Sequence, residues 1–439
     1  MLAGSSASGT PPWIAGQARN DRRWVLVTSK STSPSTQLQA HNQAASPALT
    51  RRQLVPFAAL SASYFAHIGF FNPYLPLWLK EMGLPILVIS LLTSVQSVTR
   101  VFAPYAWGWL SDHTGERVRL LRLSAGIALV ASCGLWFAVG PAWLAVVLFV
   151  LFIHTGSMMS LTEAAMAHLV AGDWGRYGRV RLWGSLGFLV TVFAAGGWFE
   201  HFGMHHFPAW TALTLAAVLV CTWRLPDMRE AVVAASAPKL PVLPVLRQPV
   251  VRWFFASLFF HVMAHFSIYG FLSLYLDSLG YSKAMIGVMW AVAVLVEIGW
   301  FFMQGRLLGR LPMPAWMTLC GALMALRMAM TAGMGQWLWA LLLAQTLHAM
   351  TFAGHHTACM AMVSQYFPGR LRARGQALFT IIGYGLGGTL GVLAGGAFAE
   401  RFGFAPMFWL AGLLGLLATL CAWRVWSLER DIKAQAGHS

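Results

Sequence analysis

The stretch Leu75-Pro76-Leu77-Trp78-Leu79-Lys80-Glu81-Met82-Gly83 is echoed 197 residues later by Leu272-Ser273-Leu274-Tyr275-Leu276-Asp277-Ser278-Leu279-Gly280. The register continues without a gap: Ile89 falls on Ile286, Arg100 on Glu297 and Gly108 on Gly305. Each copy ends one strongly apolar run, turns, and opens another. A repeat of this kind restricts the chain to two related halves, each crossing a bilayer several times. It also sets Arg100 and Glu297 at equivalent depths. Ionisable groups inside spanning helices are costly, and so are functional candidates by default.

With 58% hydrophobic and 10% charged residues and a mean hydropathy of +0.62, the composition is that of an integral membrane protein, since soluble domains carry about 25% charged residues. Runs of roughly 20 apolar residues recur, which favours helices over the alternating strands of a barrel. The runs predict twelve spans, near 54–79, 85–110, 119–139, 142–170, 182–200, 207–223, 251–277, 284–305, 315–333, 336–366, 375–399 and 405–426. The expected fold is an all-α membrane protein with twelve transmembrane helices in two pseudo-symmetric six-helix bundles. The bundles occupy 54–224 and 251–427, with a Pro-rich, charged cytoplasmic linker at 225–250. Residues 1–53 read as a disordered cytoplasmic tail without a signal-peptide core, and 428–439 as a second cytoplasmic tail.

The net charge of +16 is topological in distribution. Of 30 Lys and Arg, only Lys80, Lys283 and Arg401 fall on one side of the predicted spans, and Arg100 and Arg327 fall within them. The remainder mark the cytoplasmic side, with both termini, by the positive-inside rule. The expected location is a cell (inner) membrane, multi-pass, with the lipid bilayer as partner, no nucleic acid and a monomeric state. All five cysteines lie inside apolar segments, without metal-type spacing. No Gly-x-x-x-x-Gly-Lys-Ser/Thr loop is present, which disfavours ATP-driven transport. No nucleophile–base set suggests an enzyme, and no cofactor is expected.

Two stretches carry a family resemblance. Gly108-Trp-Leu-Ser-Asp112-His-Thr-Gly115-Glu116-Arg117-Val-Arg119 resembles the signature loop between helices 2 and 3 of the major facilitator superfamily, with Glu116 in place of its first basic residue. Gly175-Arg176-Tyr177-Gly178-Arg179-Val180-Arg181-Leu182-Trp183-Gly184-Ser185-Leu186-Gly187-Phe188 is similar to a stretch of the phenylpropionate-permease-like and lactose-permease-like proton symporters of that superfamily. The resemblance implies gating roles for Gly108, Asp112, Gly115 and Arg117, with Asp112 pairing with basic groups or a helix start of the other half. For Arg179 and Arg181, a phosphate-facing topological role stands beside a gating ion pair.

Few ionisable groups lie within the spans. Thr93, Gln96, Ser97 and Arg100 form one polar stripe on span 2; Glu163 is on span 4, His265 on span 7, Glu297 on span 8, Arg327 on span 9, and His348 and His355 on span 10. His67 lies on span 1. Glu297, Arg327 and the span-10 histidines are similar in position to the acid, arginine and histidine of the lactose-permease-like branch. The resemblance implies that they handle solute and proton together. That branch's second acid has no counterpart here, so Glu297 or a histidine has to carry the proton. A plainer reading stands beside this one: Arg327 with Glu297, and Arg100 with Glu163, as static ion pairs, and His67 and His265 as packing residues hydrogen-bonded between helices. Cations outnumber acids in the set, which favours an anionic solute such as an aromatic carboxylate, 3-phenylpropionate for example. The expected function is proton-coupled uptake by alternating access, with a sugar or nucleoside symporter, or an exporter of the same fold, as alternatives.

Overall fold

In hydrocarbon every backbone group must find its partner within the segment, so each apolar run winds into a helix. The computed structural model describes residues 51–137, 139–170, 174–227 and 241–437. The expectations for the N-terminal tail, for linker residues 228–240 and for the last two residues lie outside them. Twelve helical passes are present among the described residues. The first six are α1 (Arg51–Glu81), α2 (Ile86–Thr114), α3 (Arg117–Ser132), α4 (Pro141–Val170), α5 (Trp174–Phe202) and α6 (Phe207–Trp223). The second six begin with α7 (Pro249–Ser278), α8 (Lys283–Leu307) and α9 (Met313–Gly333). In α10, the α-helical pieces Leu338–Thr346 and His355–Tyr366 flank a π-helical segment, Ala349–Gly354. In α11, Arg372–Phe379 and Gly388–Phe402 flank the π-helical Thr380–Gly387, and α12 is Phe404–Gly437. Eleven passes are long and apolar enough to cross a membrane; α10, interrupted after Thr346, is the exception.

The repeat is visible in the backbone. Gly83 and Gly280, partners in the 197-residue register, both take left-handed conformations, with φ of 79° and 85°, where α1 and α7 end. A side chain there would be strained, so the same residue turns the chain in both halves. Arg100 and Glu297 lie on α2 and α8, the second helix of each half.

The signature stretches are more helical than a loop assignment implies. Helix α2 continues through Gly108 and Asp112 to Thr114, leaving Gly115 (φ 66°) as the turn. Helix α5 begins at Trp174, so Arg179 and Arg181 sit on its first turns. Polar residues can continue a helix beyond the bilayer, and a hydropathy reading stops too early. Gly108 has open space around it, so it serves no close helix approach in this conformation.

The hydrogen bonds that join the two halves cluster at the face opposite the basic loops. Lys80 and Asp277, again partners in the register, form an ion pair at 2.6 Å. Equivalent residues can touch only near a pseudo-two-fold axis, so this pair marks that axis. On either side of it, a glutamate ending one half's fifth helix caps the other half's second helix. Glu200 accepts from the Lys283 N–H at 2.6 Å, and Glu400 accepts from the Leu87 N–H at 3.1 Å. A carboxylate at a helix N-terminus satisfies an orphan donor and favours the helix dipole, for about 0.5–2 kcal/mol each. Small residues let the backbones meet there: a Cβ on Gly396 would strike Ser90, and one on Gly287 would strike the Val192 carbonyl.

Replacing both Glu200 and Glu400 with alanine is therefore expected to raise the population open at this face by roughly tenfold or more. Spin labels on the exposed Trp143 and Trp337 positions would report it as a longer inter-half distance. An unchanged distance distribution would show that the caps do not hold this face shut.

Candidate functional site

Between the halves lies a cavity of about 370 Å³, the size of a pocket for a small organic molecule. Thr93, Gln96 and Arg100 line it from α2, one face of the helix at spacings of three and four. Ser97, expected on the same stripe, is buried instead at the crossing of α2 with α11, near Gly388. Arg181 lines the cavity from α5; Tyr269, Trp290, Glu297, His348 and Tyr384 line it from the second half. Between these polar groups the wall is largely aromatic, with Phe65, Phe71, Phe152, Phe188, Phe266 and Phe352.

The ion pairing differs from the static pairs suggested by the sequence. Glu163 Oε1 lies 3.2 Å from Nε of Arg181, whose guanidinium also stacks 4.0 Å from the centre of the Phe65 ring. Arg100 makes no ion pair or hydrogen bond among the described residues. The reason is reach: one turn of α5 sets Arg181 against α4 and α1, and Glu163 is engaged there. The first half thus presents to the cavity a cation that no described carboxylate pairs.

Arg327 and Glu297 are not in direct contact either. Arg327 is completely buried. Its guanidinium donates to Gln345 Oε1 at 2.9 Å, to Thr351 Oγ1 at 3.1 Å and to His348 Nδ1 at 3.3 Å. Arginine only donates, so Nδ1 of His348 accepts and its proton sits on Nε2. That nitrogen faces Glu297 Oε2 at 3.5 Å. Glu297, His348 and Arg327 thus form one polar chain, with the imidazole standing between acid and guanidinium. Gln345 was not legible as a participant, because a lone amide in an apolar run carries no spacing signal.

The remaining predicted site residues fall into three places. His67 lines the cavity; Nδ1 lies 3.0 Å from Thr214 Oγ1, whose own proton goes to the Trp210 carbonyl, so His67 donates through Nδ1. His265 and His355 sit behind the cavity wall, in a void of about 10 Å³ shared with His261. Phe352 and Tyr384 border both spaces and form the partition. The His261 and His355 rings stack 3.5 Å apart, and His261 Nε2 donates to the Thr351 carbonyl at 2.7 Å. At the basic face, Asp112 lies 3.5 Å from Arg117 of its own turn, and Arg117 also donates to Ser111 Oγ at 3.1 Å. The side chain of Arg179 lies outside the described residues. No group of three or more His, Cys, Asp or Glu side chains placed to hold a metal ion occurs among the described residues.

Twelve passes in two related halves around a central cavity of mixed polar and aromatic lining define a carrier of the major facilitator type. The chain belongs to the MFS_1-like family, whose model matches residues 59–410. It is 26% identical over 376 residues to a probable 3-phenylpropionic acid transporter of Escherichia coli, covering 81% of this chain and 93% of that protein. It is also 26% identical over 371 residues to the maltose permease of Geobacillus stearothermophilus, covering 81% and 89%. Among solved structures, the nucleoside transporter NupG aligns with a TM-score of 0.70 at 15% identity, over 85% of this chain and 99% of that one. A D-xylose–proton symporter aligns with a TM-score of 0.64 at 14% identity, over 85% and 98%. The protein is a multi-pass membrane transporter of this type, not an enzyme.

Proposed function

We propose that the protein is a proton-coupled importer of a small aromatic monocarboxylate, of which 3-phenylpropionate is the model. The observation that carries this reading is Arg100, a cation on the cavity wall without a counter-ion among the described residues. An uncompensated arginine at mid-bilayer costs at least ~2.5–3.5 kcal/mol, and a solute carboxylate removes that cost. The rest of the charge is internally balanced, Arg181 by Glu163 and Arg327 by Glu297 through His348. The phenylalanines between these groups suit an aryl body better than a polyhydroxylated one, and the 26% relationship to a probable 3-phenylpropionic acid transporter supports the same choice.

Glu297 is the group proposed to take the proton. The basic face is cytoplasmic in this reading, with both termini on that side of a cell (inner) membrane and the carrier acting as a monomer. The sealed opposite face then makes the described conformation the inward-facing one, and Asp112 engages the second half when that seal opens.

Uptake into proteoliposomes, acidic outside, tests the reading with labelled 3-phenylpropionate, maltose, xylose and uridine. The acid is expected to accumulate and to collapse the pH gradient as it enters. Accumulation of a sugar or nucleoside without competition from the aryl acid would replace this reading with the sugar or nucleoside symporter; movement down the gradient without proton entry would make it a facilitator.

A further inference from the structure

Two phenols face the same cavity as Arg100, and neither hydroxyl has a hydrogen-bond partner among the described residues. Tyr269 lines the wall from α7 and Tyr384 from the π-helical segment of α11. Their rings are fixed by neighbours rather than by their hydroxyls. Tyr269 stacks on Trp290 with centroids 5.8 Å apart at 13°, and Trp290 is itself pinned by donation to Ser273 Oγ at 3.0 Å. Phe266 lies between the two tyrosines, 5.5 Å from Tyr269 and 6.3 Å from Tyr384. Both tyrosines are only partly buried and open on the cavity, and two rigidly held phenols that take no protein partner among the described residues, on the wall of a solute cavity, point to an acceptor on the solute.

Three helices bring these groups together. Gly385, the residue after Tyr384, is pressed against Val101, the residue after Arg100. One turn further along α11, a Cβ on Gly388 would stand 3.0 Å from both the Phe266 ring and Ser97 Oγ. So α2, α7 and α11 meet within a turn of Arg100, with Phe266 and its flanking tyrosines at the junction. The wider π-helical turn matters here, since it re-aims Tyr384 away from the line of Gln376 and Thr380, which do not reach the cavity.

We propose that Tyr269 and Tyr384 donate their hydroxyls to the solute carboxylate held by Arg100, so that one carboxylate is gripped from both halves and the two phenols select a charged acid over its neutral amide. This rests on the reading of the solute as an aryl monocarboxylate. The geometry assigns the division of labour: Arg100 supplies the charge from the first half, and the tyrosines supply direction from the second. Hydrogen bonds to an ionised acceptor are about twice as strong as neutral ones, so losing a hydroxyl weakens the acid more than the amide.

The test is titration of the purified carrier with 3-phenylpropionate and with 3-phenylpropionamide, for the wild type, Tyr269→Phe, Tyr384→Phe and the double variant. The wild type is expected to prefer the acid. Each single variant keeps its ring and its packing, and is expected to lose roughly tenfold in affinity for the acid while changing less than threefold for the amide. The double variant is expected to lose most of the acid-over-amide preference that Arg100 does not itself supply. A wild type that does not bind the acid overturns both the aryl-carboxylate reading and this proposal. A wild type that prefers the acid, with variants whose acid-to-amide ratio is unchanged, overturns the proposal alone. Equal weakening of both ligands does the same, because that is the signature of lost packing.

Discussion

Replacing Arg100 with methionine is expected to stabilise the empty carrier and to abolish uptake of the aryl acid. The two effects have one cause. Arg100 lines the cavity with no partner among the described residues, while the nearby acid Glu163 is taken by Arg181. Removing an unpaired cation from the middle of a membrane protein relieves a penalty; the full mid-bilayer figure is ~2.5–3.5 kcal/mol, less in a hydrated cavity. Loss of the solute's charged partner acts in the other direction, weakening binding by on the order of 100-fold or more. Arg327 supplies the contrast. It is buried and holds Gln345, Thr351 and His348 together. Arg327→Met removes a buried donor from Gln345, Thr351 and His348 at once, and should destabilise the fold by ~3–5 kcal/mol. Thermal unfolding of both variants in detergent, with uptake kinetics for Arg100→Met, separates the roles. A lower melting temperature for Arg100→Met, or an unchanged KM, would show that Arg100 is a structural cation after all.

The architecture was legible because bilayer physics leaves so few solutions. Long apolar runs must be helices, and the 197-residue register places Lys80 opposite Asp277 closely enough for the two to pair across the pseudo-axis. Gly83 and Gly280 repeat the same left-handed turn for the same reason. Legibility fails where a helix leaves the membrane. Asp112 reads as a loop residue beyond the predicted span at 85–110, although polar residues continue α2 to Thr114. It fails again at the π-helical segments, since i, i+4 spacing assumes 3.6 residues per turn and a wider turn puts Tyr384 on the cavity without Thr380. Which acid faces which cation is also beyond the sequence. Arg100, Glu163 and Arg181 all lie on helices of the first half, and only the packing of α5 against α1 and α4 decides that Arg181 takes the glutamate. The capping glutamates, Glu200 and Glu400, escape a sequence reading because an acid near a helix end ordinarily looks like a solvated terminus. Their partners are backbone donors of the opposite half, remote in the chain.

Glu297→Gln is expected to leave a folded carrier that exchanges solute freely and cannot accumulate it. A direct Glu297–Arg327 pair would predict something else, because neutralising one member would strand a buried charge and unfold the protein. The structure interposes His348. Its Nδ1 is committed to Arg327 at 3.3 Å and its Nε2–H points to Glu297 at 3.5 Å. A glutamine carbonyl can still accept from that Nε2–H, and Arg327 keeps all three of its acceptors. The variant therefore resembles a carrier whose Glu297 is permanently protonated. With the acid neutral and a monoanion on Arg100, the cavity carries the same net charge as it does when empty with Glu297 ionised. Both forms can then cross between faces at similar electrostatic cost, which couples one proton to one carboxylate without net charge movement. Freezing Glu297 in its neutral form leaves solute-loaded passage intact and blocks the return of the empty carrier. Counterflow in proteoliposomes should accordingly remain near the wild-type rate, while accumulation driven by a pH gradient falls by roughly tenfold or more. Normal uphill accumulation by Glu297→Gln would remove it as the proton carrier and transfer that role to His348, whose replacement by glutamine would then have to reproduce the loss.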